Sequence, residues 1–150
     1  MNTVEWLKEE IDSIRRQRYQ FLLIDSEISK KINLQNIIKQ LKLPSINVNM
    51  ELASRLRNIP ASRRSRVVKN ELQSIVNEYD DDVIFLNRIQ YLFDEELKQD
   101  PLGLIEYISG NKVILVNWPG EIRKEIIKYG TQDHPEYFES EEYKGHIIKL

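Results

Sequence analysis

The sequence has no cysteine, and this absence removes several kinds of chemistry at once. Disulfide bonds, thiol nucleophiles and thiolate metal ligands are excluded, and the absence fits a reducing compartment. Glycine is also scarce, since the chain has five and all of them lie at or after Gly103. Phosphate-binding loops use glycine to bring backbone N–H groups close to the phosphates. The first 102 residues therefore contain no glycine-rich loop of that kind.

Long apolar runs are missing as well, so no segment reaches membrane-spanning length. The N-terminal stretch MNTVEWLKEEIDSIRRQRYQ is too charged for a signal peptide. What is present is a globular balance of 41% hydrophobic and 31% charged residues over 150 positions, enough for one domain. We therefore expect a single soluble, cytoplasmic domain with no membrane partner. The net charge of −2 gives the whole molecule no attraction for nucleic acid.

Hydrophobic periodicity predicts helices that alternate with short apolar strands. Asn2 and Glu5 are placed for a capping box at the start of an N-terminal helix, and Asp100-Pro101 is a strong helix start. The predicted helices cover about 3–18 (within an N-terminal segment 1–19), 34–41, 51–60, 62–78, 101–109 and 121–128. The predicted strands are FLLI (21–24), INVNM (46–50), VIFL (83–86), KVILVN (112–117) and HIIKL (146–150).

Most of these strands are apolar throughout, which indicates burial on both faces of a sheet. Strands that alternate with helices indicate parallel pairing with right-handed crossovers. The predicted fold is a three-layer α/β domain with a mainly parallel sheet of about five strands and an N-terminal helix.

The first strand and the helix after it have the layout of a phosphate-binding loop, whose pattern is GxxxxGK[ST]. Aligned on Lys31, this chain has Asp25 and Lys30 at the two glycine positions and Ile32 in place of the hydroxyl. Alignment on Lys30 restores neither glycine nor hydroxyl, and Asp25 and Glu27 put negative charge where phosphates would sit. A helix N-terminus still attracts anions, so Ser29, Lys30 and Lys31 are kept as nucleotide-binding candidates.

Two later strands end in asparagine where nucleotide-binding domains carry polar groups. Asn87 ends VIFLN at the position of the magnesium-organising aspartate of a Walker B strand, which a neutral amide cannot replace. Asn117 ends VILVN, where related ATPases often have a polar sensor. Asp94, Glu95 and Glu96 follow further on and are interpreted as capping charges at a helix start.

The densest charge feature is RLRNIPASRRSRVVK, residues 55–69, which contains no acid. Its basic residues are Arg55, Arg57, Arg63, Arg64, Arg66 and Lys69. Three interpretations stay open: a solvated loop and helix start, a surface that docks to an acidic partner, and a DNA contact through phosphates. No aromatic residue is interleaved, so base stacking is not indicated. Acidic segments at 78–82, 94–100 and 133–142 would also suit head-to-tail self-association into a homo-oligomer.

Other chemistry has little support. His134 and His146 are the only histidines and have no metal-ligand spacing around them, so no metal site is predicted. No nucleophile–histidine–acid arrangement is visible, and no catalytic residue is assigned. Trp118 in the sequence NWPG is interpreted as core packing under a turn.

The second half of the chain resembles a known family. The string VIFLNRIQYLFDEELKQDPLGLIEYISGNKVILVNWPGE (83–121), followed by HPEY (134–137), resembles the BrxF family, the small P-loop-containing proteins of type 3 BREX phage-defence systems. VNMELASRLRNIPASRRSRVV (48–68) is also similar to that family's second strand and following helix. The resemblance covers about 20–150 and implies a P-loop NTPase-like, AAA-like fold.

The same resemblance implies antiviral defence beside a large AAA ATPase, a DNA methyltransferase and a PglZ-type protein. The departures at 25–32 and at Asn87 mean that ATPase activity does not follow from it. We therefore expect a non-catalytic accessory component that needs no cofactor and acts through protein contacts or self-assembly. The alternatives are a weak or partner-dependent ATPase that uses magnesium-ATP, and a DNA-binding accessory subunit.

Overall fold

The computed structural model describes residues 2–149, in which helices surround a parallel sheet and a second, smaller sheet follows it. The helices are α1 (Thr3–Ile14), α2 (Ser26–Ile32), α3 (Leu34–Gln40), α4 (Val48–Leu56), α5 (Ala61–Asn77) and α6 (Pro101–Ile108). The strands are β1 (Phe21–Ile24), β2 (Ser45–Asn47), β3 (Val83–Asn87), β4 (Val113–Asn117), β5 (Glu121–Arg123), β6 (Ile126–Tyr129) and β7 (Phe138–Ser140). Short 3-10 turns occupy Gln90–Phe93, Glu95–Leu97 and Lys144–His146.

The main sheet has four parallel strands in the order β1-β4-β3-β2. The C-terminal segment covers the outer edge of β1, but only through single contacts. The Ile148 N–H donates to the Leu23 carbonyl at 3.0 Å, and Nδ1 of His146 lies 2.9 Å from the Phe21 carbonyl. The predicted last strand is therefore one β-bridge at Ile147 preceded by a 3-10 turn, and Leu150 of that prediction lies outside the described residues.

The sheet separates two apolar clusters, which confirms that its strands are buried on both faces. Alternate residues of β1 divide between them: Phe21 and Leu23 face α4, α5 and α6, whereas Leu22 and Ile24 face α1 and α3. Within residues 2–149, every helix is too short or too polar to cross a lipid bilayer.

The parallel sheet is confirmed with four of the five predicted strands, but residues 121–140 also form a separate three-stranded antiparallel sheet, β5-β6-β7, which was not predicted. The helix predicted at 121–128 is instead the β5–β6 hairpin. Its two-residue turn places Lys124 and Glu125 at φ of 51° and 65°, the left-handed region in which glycine or asparagine is usual. Because lysine and glutamate are not typical of such a turn, the hairpin was not predicted from the sequence.

An aromatic cluster connects the small sheet to the parallel sheet. Phe93 stacks on Tyr129 with ring centroids 4.0 Å apart and meets Trp118 edge-on at 5.4 Å. Trp118 is fully buried, and its Nε1–H donates to the Lys128 carbonyl at 2.9 Å. Its predicted packing role under the turn is confirmed.

Helix boundaries also differ from the periodicity in places. The Asn2 side chain caps the N-terminal helix by accepting from the Glu5 N–H at 2.8 Å, but α1 ends at Ile14, earlier than expected. The region expected to be strand at 46–50 is strand only to Asn47, whose Oδ1 accepts from the Met50 N–H at 3.0 Å and so starts α4. An asparagine that seemed part of an alternating strand is a helix cap.

Candidate functional site

The carboxyl ends of the parallel strands form the edge at which open α/β sheets bind ligands. Strands β2, β3 and β4 each end in asparagine, at Asn47, Asn87 and Asn117, and β1 is followed by Asp25. Asn47 is opposite Asn87 in the register of β2 and β3. This row of polar side chains is the first candidate site.

The connection from β1 to α2 is too short to be a phosphate-binding loop. β1 ends at Ile24 and α2 begins at Ser26, so Asp25 alone joins them. Oδ1 of Asp25 accepts from the Ile28 N–H at 2.8 Å and occupies the helix N-terminus. Because a carboxylate fills the position that a phosphate would take, Mg-ATP does not fit this residue set.

The predicted lysines lie at the other end of the same helix. Lys30 and Lys31 are exposed in the last turn of α2, about 8 Å along the helix axis from the Asp25 cap. There they complement the negative end of the helix dipole. Ser29 is half-buried in the same helix, which ends where Asn33 adopts a left-handed conformation with φ of 52°. Among the described residues, no side-chain hydrogen bond joins Ser29, Lys30 or Lys31 to Asn47, Asn87 or Asn117.

The structure does bring the two strand-end asparagines together. The Asn117 side-chain amide donates to Oδ1 of Asn87 at 3.0 Å, and the same oxygen accepts from the Arg88 N–H at 3.1 Å. Oδ1 of Asn87 is thus engaged in two hydrogen bonds, and as part of a neutral amide it offers no charged oxygen to a cation. This pairing depends on β4 lying beside β3, which residue spacing alone does not predict.

Asn49 is a residue of this edge that received no site assignment from the sequence. Its Oδ1 accepts from the Tyr91 N–H at 2.7 Å, and its Nδ2 donates to Oε1 of Gln90 at 3.1 Å. The Asn49 N–H donates to the Arg88 carbonyl at 2.9 Å. Asn49 therefore fixes the loop after β3 against the first turn of α4, which is a structural role.

A cleft of about 410 Å³ lies beyond the carboxyl end of β1, between α2 and the small sheet. Its charged lining consists of Asp25, Glu27, Glu121 and Lys128. Three carboxylates against one ammonium give the cleft an acidic character that repels phosphate. Gly120 is required in its wall, because a Cβ there would lie 1.9 Å from the Lys128 carbonyl oxygen.

The basic segment forms the turn between α4 and α5 and the first turns of α5, and three of its residues have structural partners. Arg55 forms ion pairs with Glu71 at 3.5 Å and with Glu78. Nε of Arg64 donates to the carbonyls of Leu56 and Ile59 at 3.1 and 2.9 Å, which closes the turn. The Lys69 ammonium lies 4.0 Å from the centre of the Tyr107 ring, although Lys69 itself is exposed.

The other three, Arg57, Arg63 and Arg66, are exposed. Across residues 2–149, no acid lies within salt-bridge distance of any of them. Together with Lys69 they form what we call the basic face. The acidic segment at 94–100 is not at an opposite pole, because the Gln99 side chain donates to the Ser65 carbonyl at 2.8 Å and lies beside α5. Oδ1 of Asp94 accepts from the Glu96 N–H at 2.9 Å, in the capping role predicted for it.

The remaining titratable side chains do not form a second candidate site. In the described part of the chain, no three His, Asp or Glu side chains are grouped so as to hold a metal ion. The His146 ring stacks on Phe21 with centroids 3.9 Å apart and so belongs to the packing of the C-terminal segment. Burial, reinforced by Glu106 and Asp100, raises the pKa of the Tyr143 hydroxyl to about 12.

Comparison of the chain with protein-family models, with curated proteins and with solved structures finds no match.

Proposed function

We propose that this chain is a non-catalytic, P-loop-like accessory component of a BREX-type antiviral defence complex, acting by binding partners in the cytoplasm. The observation that supports the non-catalytic role is the Asp25 carboxylate, which caps α2 directly after β1 in place of a phosphate-binding loop. The BREX assignment depends on the resemblance of 83–121 and 134–137 to the BrxF family. The partners implied by that resemblance are the large AAA ATPase, the methyltransferase and the PglZ-type protein.

The sheet supports the P-loop-like part of the proposal. β4 lies between β1 and β3, and the C-terminal segment contacts the free edge of β1 in parallel. This is also the strand arrangement expected of AAA-like P-loop domains. Helices α1 and α3 on one face and α4 to α6 on the other are consistent with the three layers of such a fold.

Electrostatics supports the loss of nucleotide binding. A phosphate charge placed about 5 Å from one carboxylate is disfavoured by roughly 3 kcal/mol at an effective dielectric constant of about 20. Asp25, Glu27 and Glu121 all line the cleft at this edge. The positive charge of Lys128 compensates for at most one of these three negative charges. At the end of β3, Asn87 supplies no carboxylate to bind magnesium, and its side-chain oxygen accepts a hydrogen bond from Asn117.

A titration of the protein with magnesium-ATP tests the non-catalytic role. We expect no heat of binding by calorimetry and no change in melting temperature, for the wild type and for Lys30→Ala/Lys31→Ala alike. A clear stabilisation that this double substitution abolishes would instead establish the alternative, a weak or partner-dependent ATPase. Asn117→Ala then separates a sensor role from a purely structural one.

Co-purification tests the role in a complex. The tagged protein, expressed in a host that carries its neighbouring genes, should retain one or more of those gene products through a salt wash. Nucleotide content should be absent from fractions that contain this chain alone. Light scattering of the isolated chain determines separately whether it self-associates. Recovery of a partner-free protein from such a host would contradict the accessory role.

A further inference from the structure

The charge of this protein is distributed very unevenly. Residues 52–77 contain six basic side chains and one acid, a balance of +5 in a chain whose total is −2, so the rest carries −7. That single acid, Glu71, is paired with Arg55, and Arg55 also binds Glu78 at the end of α5. Both acids pair with Arg55, and neither forms an ion pair with the residues of the basic face, Arg57, Arg63, Arg66 and Lys69.

The exposed uncharged side chains of α5, beside the basic face, are small and polar. The exposed polar residues of α5 are hydroxyls and amides, at Ser62, Asn70, Ser74 and Asn77. Such groups, with arginine and lysine, make most hydrogen bonds from proteins to phosphate oxygens. The large exposed apolar residues described in the chain are Met50 and Tyr107, both outside α5. A stable protein interface is expected to have an apolar or aromatic centre, and Tyr107, which lies against Lys69, is the single large exposed side chain of that kind described at the basic face. The basic face therefore favours a nucleic acid over an acidic protein.

We propose that the basic face binds the phosphate backbone of duplex DNA without reading its sequence. Arg63, Arg66 and Lys69 recur every third residue along α5, so their Cα atoms span about 9 Å of the helix axis. This span matches about two to three phosphate steps of one DNA strand at about 3.4 Å each. Arg57, at the end of α4, extends the contact across the helix–helix turn that Arg64 closes.

The packing around α5 favours contact with the DNA phosphate backbone. It favours neither insertion of the helix into a DNA groove nor stacking of single-stranded bases on aromatic side chains. α5 packs against α4, α6 and the turn at Glu95–Leu97, so it presents an outer face rather than a protruding helix. Single-strand binders stack successive bases on several aromatic side chains, whereas this face has Tyr107 alone, already in contact with Lys69. Glu95 and Glu96 are exposed beside the first turns of α5 and bound the basic face on that side.

Fluorescence anisotropy with a labelled duplex of about 20 base pairs, between about 50 and about 200 mM salt, tests this proposal. Four phosphate contacts predict a slope of log K against log salt of about −3.6, or roughly a hundredfold loss of affinity over that range. The substitution Arg57→Gln/Arg63→Gln/Arg66→Gln should make the slope shallower by about 2.7 units. Glu95→Gln/Glu96→Gln should tighten binding.

The matched control is Lys8→Gln/Arg16→Gln/Lys39→Gln. It removes the same net charge from exposed positions on α1, the segment after it and α3, on the other side of the parallel sheet. We expect it to preserve the wild-type slope. The proposal is overturned by no binding at about 50 mM salt, by equal losses in the two triple variants, or by binding to poly-glutamate but not to duplex. None of these outcomes bears on the nucleotide titration, because the basic face does not depend on the β1–α2 connection.

Discussion

Replacing Gly120 by alanine should lower the free energy of unfolding substantially. A Cβ at this position would lie 1.9 Å from the Lys128 carbonyl oxygen and 3.0 Å from Nε1 of Trp118. Real Cβ contacts to backbone essentially never fall below 3.0 Å, so β6 would have to move by more than about 1 Å. That movement breaks the bond from the Trp118 Nε1–H to the same carbonyl.

The cost of Gly120→Ala can be estimated from these two effects. Overpacking costs about 1–3 kcal/mol, and an unsatisfied, buried indole N–H costs about 1–3 kcal/mol more. We therefore expect a loss of about 2–6 kcal/mol in the free energy of unfolding. For a chain of this length, 1 kcal/mol corresponds to about 2–4 °C, so the melting temperature should fall by about 4–24 °C.

Urea unfolding followed by tryptophan fluorescence and by circular dichroism measures this loss. The matched control is Gly110→Ala, because a Cβ at Gly110 meets nothing within 4 Å. Its effect should stay within about 0.5 kcal/mol. A loss of less than about 1 kcal/mol for Gly120→Ala, or one no larger than that of the control, would refute this reasoning. It would mean that the close contact between Gly120 and β6 does not limit the stability of the fold.

Three further outcomes are expected. Replacing Lys124-Glu125 by Asn-Gly should stabilise the protein by about 1–2 kcal/mol in urea unfolding, because both positions have positive φ; no gain would contradict that turn geometry. Arg64→Ala should cost about 1–2 kcal/mol by loss of two hydrogen bonds to the α4–α5 turn, against less than about 0.5 for the exposed Arg63→Ala; equal values would refute the turn-closing role. Burial and nearby carboxylates raise the pKa of Tyr143 to about 12, so the unfolded state ionises first as pH rises above about 10, and the stability that the neutral hydroxyl provides is lost between about 10 and about 12. Tyr143→Phe should reduce that loss, and unfolding curves collected across this pH range with both proteins check it.

The parallel sheet illustrates what can be predicted from local pattern. FLLI, VIFL and VILV are apolar at every position, and only burial on both faces accommodates such strands, so their class followed directly. The hairpin at 121–129 shows the opposite case. EIRKEIIK has isoleucines at spacings that suit a helix, and its turn has no glycine or asparagine to contradict that reading. Contact with the aromatic cluster around Phe93 and Trp118 overrides this local preference.

Local sequence patterns were enough to predict that the apolar strands of the parallel sheet are buried, that Asn2 caps the first helix, and that no glycine-rich loop precedes Gly103. These properties are local, since each depends on residues within a few positions of one another. The pairing of Asn117 with Asn87 depends on the tertiary structure, and so does the one-residue connection between β1 and α2. The same holds for the ion pairs of Arg55 with Glu71 in α5 and with Glu78 just after it. The side-chain pairs depend on strand order and helix packing, which bring together residues 16 to 30 positions apart. The short connection depends on where β1 ends and α2 begins. The loss of a phosphate site and the exposure of the basic face follow from these contacts, because charge acts through distance in space rather than along the chain.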